Sequence, residues 1–198
     1  MPEARCAAVV LAAGASTRLG QAKQLIEAGG ESLLRRTARL AMAAGCAPVV
    51  VVLGYEAERM RAELSGLSAE VVINAKWPQG MGSSLRCGVE FVCAREHRPE
   101  NILLLVCDQP RLTVEHLRAL VARHAAGGMA ITASEYAGRA GVPAMFAAEL
   151  VPELLQCMGD QGAREVIRRD AGRVQSIPWA DGAVDVDRPE DLEELKDS

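Results

Sequence analysis

Several stretches of this 198-residue chain bring together residue types suited to phosphate and a divalent cation. The densest is Leu11-Ala-Ala-Gly-Ala-Ser-Thr-Arg-Leu-Gly-Gln-Ala-Lys23. Gly14 permits a tight turn that exposes backbone N–H groups, and Ser16 and Thr17 add hydroxyl donors. Arg18 can fork onto phosphate oxygens, and Lys23 adds a compact positive charge. The chemistry this favours is polyphosphate binding. The segment is not a Walker A loop, which would need glycine where Leu19 stands, and it lacks the G-x-G-x-x-G of dinucleotide sites. A Gly/Ser loop with two solvated cations is the plainer alternative. Lysine is scarce, at positions 23, 76 and 196 only, so the placement of Lys23 is informative.

A second stretch, Asn74-Ala-Lys-Trp-Pro-Gln-Gly-Met-Gly-Ser-Ser-Leu85, brings Gly80 and Gly82 to a helix start. Ser83, Ser84 and the helix N-terminus offer donors to anions or base carbonyls. Alternatively, Ser83 only caps the helix and Trp77 fills a groove. The third, Cys107-Asp108-Gln109-Pro110, ends an apolar run with a carboxylate, which is costly to bury unpaired. Mg²⁺ takes one or two carboxylates and completes its shell with phosphate and water, so Asp108 is a candidate ligand. It could equally begin the turn that Pro110 imposes. His97, His116 and His124 make no credible ligand set and are expected at the surface.

These residues must be held by elements, and strand-like runs alternate with helix-like ones throughout. Strands are expected over residues 7–11, 48–53, 70–73, 101–107 and 173–177. Another pair, 129–134 and 142–146, flanks a turn at 136–141. Helices are expected over 32–44, 57–64, 84–95, 147–157 and 163–170, after Thr113, and from Pro189. Strands apolar on both faces and separated by single helices imply an α/β fold with a mostly parallel sheet covered on both sides. Ligands bind beyond the carboxyl ends of such strands. The chemistry-bearing loops follow residues 11, 73 and 107, where that rule puts them.

Composition narrows the classes. Half the residues are apolar (49%) and 24% are charged, a globular balance. A net charge of −4 argues against a nucleic-acid surface, and six aromatic residues are too few for a base-stacking platform. No apolar run approaches the ~20 residues of a membrane span. The N-terminus shows no secretory signal, and six cysteines without C-x-x-C spacing read as reduced thiols. A cytoplasmic location is expected. One domain spanning 1–198 is expected as well, with no linker dividing it.

The spacing L-A-A-G-x-S-x-R-x-G-x-x-K closely resembles the nucleotidyltransferase loop of the molybdenum cofactor cytidylyl- and guanylyltransferases. N-x-x-W-x-x-G-M-x-S-S-L, D-Q-P and G-D-x-G-A-R (Gly159–Arg164) are similar to the cytidylyltransferase branch. The resemblance implies a three-layer, doubly wound nucleotide-diphospho-sugar-transferase fold. Its nucleotide half would be about 1–110 and its acceptor half about 111–198. It implies that Leu11, Ala12, Ala13 and Gly14 lie against base and ribose. Ser16, Arg18 and Lys23 would hold the triphosphate, while Asn74, Gly80, Ser83 and Ser84 border the base pocket. Gly141 and Pro143, in a G-x-x-G-x-P pattern that otherwise reads as a hairpin turn, would lie near the acceptor. Asp160 and Arg164 would serve the pterin-phosphate side, unless Asp160 merely caps a helix. Asp187, in Asp185-Val-Asp187-Arg-Pro-Glu-Asp-Leu192, would join Asp108 on Mg²⁺, unless it caps the last helix.

The implied reaction is transfer of CMP from CTP to molybdopterin, with Lys23, Arg18 and Asp108 catalytic. A molybdenum hydroxylase of the xanthine dehydrogenase type would be the client. Guanylyltransferase relatives usually carry L-A-G-G where this chain has Ala13, which favours CTP over GTP. Another phosphorylated acceptor, or a non-catalytic cofactor carrier, are the alternatives.

Overall fold

A computed structural model describes residues 6–16 and 19–184. Thr17, Arg18, Asp185, Asp187 and the helix expected from Pro189 lie outside the described residues. The strands are β1 (Cys6–Leu11), β2 (Glu27–Ala28), β3 (Glu31–Ser32), β4 (Val49–Leu53), β5 (Glu70–Ile73), β6 (Asn101–Val106), β7 (Ile131–Tyr136), β8 (Arg139–Ala147) and β9 (Val174–Pro178). The helices are α1 (Leu33–Ala43), α2 (Ala57–Glu63), α3 (Met81–Cys93), α4 (Val114–Ala125), α5 (Val151–Leu154) and α6 (Ala163–Arg169).

Seven strands form one sheet in the order β5-β4-β1-β6-β8-β7-β9, and β2 pairs with β3 alone. Every pairing in the large sheet is parallel except those of β8 with β6 and β7. Alternation along each strand sends neighbouring side chains to opposite faces. Ala8, Val10, Val49, Val51, Leu103 and Leu105 face a layer containing Leu34, Ala38, Met60, Leu117 and Leu120 of α1, α2 and α4. Ala7, Val9, Val50, Val52, Ile102 and Leu104 face Leu85, Val89, Leu154 and Val166 of α3, α5 and α6. The result is the three-layer, mostly parallel α/β fold expected. On α3 the approach is close: a Cβ on Gly88 would fall 2.4 Å from Val9, so only glycine lets the helix lie this near the sheet.

Ser32 caps α1 by accepting from the Arg35 N–H, and Thr113 caps α4 by accepting from that of His116. Three expectations are corrected. The turn expected over 136–141 is only Ala137-Gly138, both with positive φ, which lets a tight hairpin extend β7 and β8 toward it. The helix expected over 147–157 is a 3₁₀ turn followed by the single turn of α5. Pro152 lacks the N–H that a continuous helix would use. His116 and His124 are buried, not superficial. They lie on the face of α4 that packs on β7, whose inward residues include the hydroxyls Thr132 and Ser134. His116 Nε2 lies 2.7 Å from Ser134 Oγ, and His124 Nδ1 lies 2.9 Å from Thr132 Oγ1. Burial pushes the pKa of His116 down to about 4 and lowers that of His124.

The six cysteines are free thiols, with Cys6 and Cys46 in Sγ contact at 3.3 Å. No helix among the described residues is long and apolar enough to cross a membrane.

Candidate active site

The sheet register builds the site. Leu11 is level with Val52 of β4 on one side and Val106 of β6 on the other. The loops leaving β1, β4 and β6 therefore start at one height, beside that leaving β5. Two adjoining crevices open there, of about 360 and 300 Å³.

The first is lined by Leu11, Ala12, Ala13, Gly14 and Ser16, by Lys23 and Gln24, by Trp77, Gly80 and Ser84, and by Cys107 and Asp108. Lys23 Nζ and Asp108 Oδ2 meet at 2.5 Å, joining the 3₁₀ turn Lys23–Leu25 to the end of β6. Both side chains are about one-fifth exposed (22% and 17%), so the pair is open to a ligand. Burial pushes the neighbouring Cys107 thiol up to about 12, so it is no thiolate at neutral pH.

In the loop after β1, Ser16 (φ 51°) and Gly20 (φ 72°) are left-handed, whereas Gly14 does not adopt positive φ. The Ser16 hydroxyl accepts from the Lys23 N–H at 3.2 Å and donates to Gln24 Oε1 at 3.4 Å. Gln24 in turn donates through Nε2 to the carbonyls of Ala12 (3.0 Å) and Gly14 (2.6 Å). It is buried (1% exposed) and clamps the loop from inside. Sequence reasoning missed it, although its place directly after Lys23 was a signal.

The loop after β5 is organised internally too. Asn74 Nδ2 donates to Ser83 Oγ (2.8 Å) and Ser84 Oγ (3.0 Å), and the Ser83 hydroxyl donates to the Lys76 or Gly80 carbonyl. Asn74 and Ser83 thus brace the loop behind the crevice wall, whereas Gly80 and Ser84 form that wall. Gly80 has φ 97°, and a Cβ there would fall 2.4 Å from the Gly159 carbonyl oxygen. The Gly82 N–H donates to that same carbonyl at 2.8 Å, tying the start of α3 to residues 157–162. Trp77 packs edge-on against Tyr55, with ring centroids 5.7 Å apart.

The second crevice is walled by Gln109, Tyr136, Val142, Arg164 and Arg168. It shares Leu11, Met81, Val106, Asp108 and Asp160 with the first. Asp160 is no helix cap: Gly162 starts α6, without a side-chain bond. It stands instead where the crevices meet. Gly141 and Pro143 flank the lining residue Val142 from behind. Gly141 backs onto Tyr136, whose hydroxyl oxygen would lie 2.7 Å from a Cβ there. The Pro143 carbonyl accepts from Ser134.

Among the described residues no three His, Cys, Asp or Glu side chains gather to hold an ion. Asp108 suits Mg²⁺ in another way: a single hard oxygen ligand beside a cavity sized for phosphates, which would supply the rest.

The profile for the MobA-like NTP transferase domain matches residues 8–174. Nicotine blue oxidoreductase of Paenarthrobacter nicotinovorans is 34% identical, with 94% of each chain covered. Purine catabolism protein PucB of Bacillus subtilis is 28% identical, over 95% of this chain and 94% of that one. The crystal structure of Rv0371c from Mycobacterium tuberculosis H37Rv superposes with a TM-score of 0.82 at 28% identity, covering 99% and 100% of the two chains. The same protein has been crystallised in complex with manganese (TM-score 0.80). The chain belongs to the MobA-like NTP transferase family.

Proposed function

We propose that this protein transfers CMP from CTP to the terminal phosphate of molybdopterin, or of its molybdenum-loaded form, and releases pyrophosphate. The observation that carries this reading is the Lys23–Asp108 pair at the junction of two crevices. One crevice suits a nucleoside triphosphate and the other an anionic acceptor. We place the nucleotide half at about 1–110 and the acceptor half at about 111–198, with Leu11, Met81, Val106, Asp108 and Asp160 common to both crevices.

A phosphate monoester is largely dianionic at neutral pH, since its second pKa is ~6. Its oxygen attacks the α-phosphorus of CTP, a new P–O bond forms, and the bond to the β-phosphate oxygen breaks with its electrons leaving on pyrophosphate. No general base is required, and none of the residues described at the junction is a histidine. Lys23 neutralises charge that grows on the leaving group, with Arg18 proposed beside it, and the loop clamped by Gln24 orients the triphosphate. Arg164 draws in the acceptor phosphate. Asp108 would hold Mg²⁺, with Asp187 proposed as a second carboxylate. Bound there, the ion neutralises phosphate charge. Pyrophosphate release from CTP that depends on molybdopterin tests the reading, and its absence with active acceptor defeats it. The consumer of the product would be a molybdenum hydroxylase, in keeping with a cytoplasmic, Mo-cofactor-related role.

Ala13 lines the nucleotide crevice and is 4% exposed, so its methyl sets how closely a base can approach. With Mg²⁺ present, CTP is expected to raise the melting temperature more than GTP does at equal concentration. The reverse order would reassign the protein as a guanylyltransferase. Gln24→Met keeps volume but removes the clamp. It is expected to raise KM for CTP about tenfold while leaving KM for the acceptor within about twofold. An unchanged KM for CTP would show that the loop holds its shape without Gln24.

A second reading rests on the Paenarthrobacter relative, whose name is that of an oxidoreductase. The first crevice would then have to take the pyrophosphate of a reduced dinucleotide without the G-x-G-x-x-G motif, which its loop lacks. Oxidation of NAD(P)H in the presence of a dye acceptor, with no pyrophosphate formed from CTP, would favour it.

A further inference from the structure

We infer that Gln109 is a specificity-determining residue of the second crevice, its side-chain carbonyl accepting a hydrogen bond from an N–H or O–H group of the acceptor. Gln109 follows Asp108 at the end of β6, and Pro110 restricts its backbone. The side chain is buried (4% exposed) and stands in the crevice wall beside Tyr136 and Val142. Its amide can be oriented in one way only. Nε2 lies 3.1 Å from the Val142 carbonyl oxygen, which can only accept. The nitrogen must therefore be there and the oxygen must be the other atom.

The Tyr136 hydroxyl reinforces this choice. It spends its proton on the same Val142 carbonyl at 2.9 Å, so it can only accept from Gln109 Nε2 at 3.5 Å. Gln109 Oε1 is left covered and without a partner among the described residues. The other buried unpaired side-chain atoms described are Nε of Arg36, Arg95 and Arg173, all donors on guanidinium groups that engage a partner through another nitrogen. Gln109 Oε1 is thus the one unpaired buried acceptor described, and it belongs to a ligand-sized crevice. A buried acceptor without a partner is costly, and a donor on a bound ligand removes that cost.

The same wall carries Arg164 and Arg168. Arg164 Nη2 comes within 3.5 Å of the Tyr136 hydroxyl, so cation and amide are neighbours. The acceptor class this defines is a phosphate monoester with a neutral donor group close to its anionic end. A plain anion would satisfy the arginines and leave Gln109 unpaired. The inference rests on reading the second crevice as the acceptor site.

The test uses two dianionic probes titrated calorimetrically into the full chain with Mg–CMPCPP, a non-transferable CTP analogue. One is 6-hydroxymethylpterin monophosphate, which carries ring N–H and amine donors; the other is benzyl phosphate, which carries none. Wild type is expected to prefer the pterin phosphate by about tenfold. Gln109→Met should collapse that ratio to about twofold or less while leaving benzyl phosphate affinity nearly unchanged. A ratio that survives the substitution overturns the inference, as does equal weakening of both probes, which would mark Gln109 as a purely structural support for β8. No preference in wild type overturns it as well. Binding of Mg–CMPCPP is measured first in each variant. Its failure would defeat the nucleotidyltransferase reading, whereas a lost ratio with intact nucleotide binding defeats only the assignment of Gln109.

Discussion

Asp108→Ala, assayed at saturating Mg²⁺ and CTP, is expected to lose roughly 10²-fold or more in the rate of pyrophosphate release, and Lys23→Ala a comparable factor. The two side chains meet at 2.5 Å where both crevices converge, so each is placed to act on charge that develops during transfer. Their coupling sharpens the expectation. The two groups touch each other and face the same phosphates, so the double variant should be little worse than the poorer single one. Multiplicative losses would mean that the two groups act independently. Full turnover by Asp108→Ala under saturating Mg²⁺ would remove Asp108 from the mechanism altogether. Loss confined to KM for CTP would make Lys23 a binding group rather than one that stabilises the transition state.

The fold was legible because its dominant signal is local and periodic. Val49–Leu53 and Ile102–Leu105 are apolar at every position, as strands covered on both faces require, and both runs are too short for a buried helix. The loops after β1, β5 and β6 were legible by their composition, and they do converge. What the sequence did not reveal are the bonds inside those loops. Asn74, Ser83 and Ser16 carry donors and acceptors that suit a ligand, yet they spend them on neighbouring side chains or on the backbone. Residue type shows what a side chain can do but not which partner claims it first. Gln24 and Gln109 were overlooked for the opposite reason: a neutral amide carries no charge signal, although both are buried next to the crevices. The histidines on α4 were misplaced because an i, i+8 spacing fits either face of a helix. Only the polar inner residues of β7 decide which face turns inward.

Those histidines yield the other large effect, an acid sensitivity set in the core. His116 stacks on Trp179 at 4.6 Å between centroids and faces the Ser134 hydroxyl, which donates to the Pro143 carbonyl at 2.7 Å. Ser134 has spent its proton, so it accepts from Nε2–H. Burial holds the His116 pKa near 4, below the 6.5 of a free histidine. In that interval the unfolded chain binds a proton that the native one refuses, so stability is complete above about pH 6.5 and falls as the pH drops toward 4. That difference in pKa corresponds to about 3 kcal/mol, and His124 adds to it in the same direction. Glu31 and Glu153, held below the usual carboxylate range by Arg39 and Arg173, contribute only at lower pH, where protonation removes their pairing. Urea unfolding between pH 7 and about 5.5 therefore isolates the histidines. His116→Gln, neutral throughout, should start from a lower stability at pH 7 but lose distinctly less on acidification. If its slope with pH matches that of wild type, His116 is not the group refusing the proton, and the acid sensitivity must come from elsewhere in the chain.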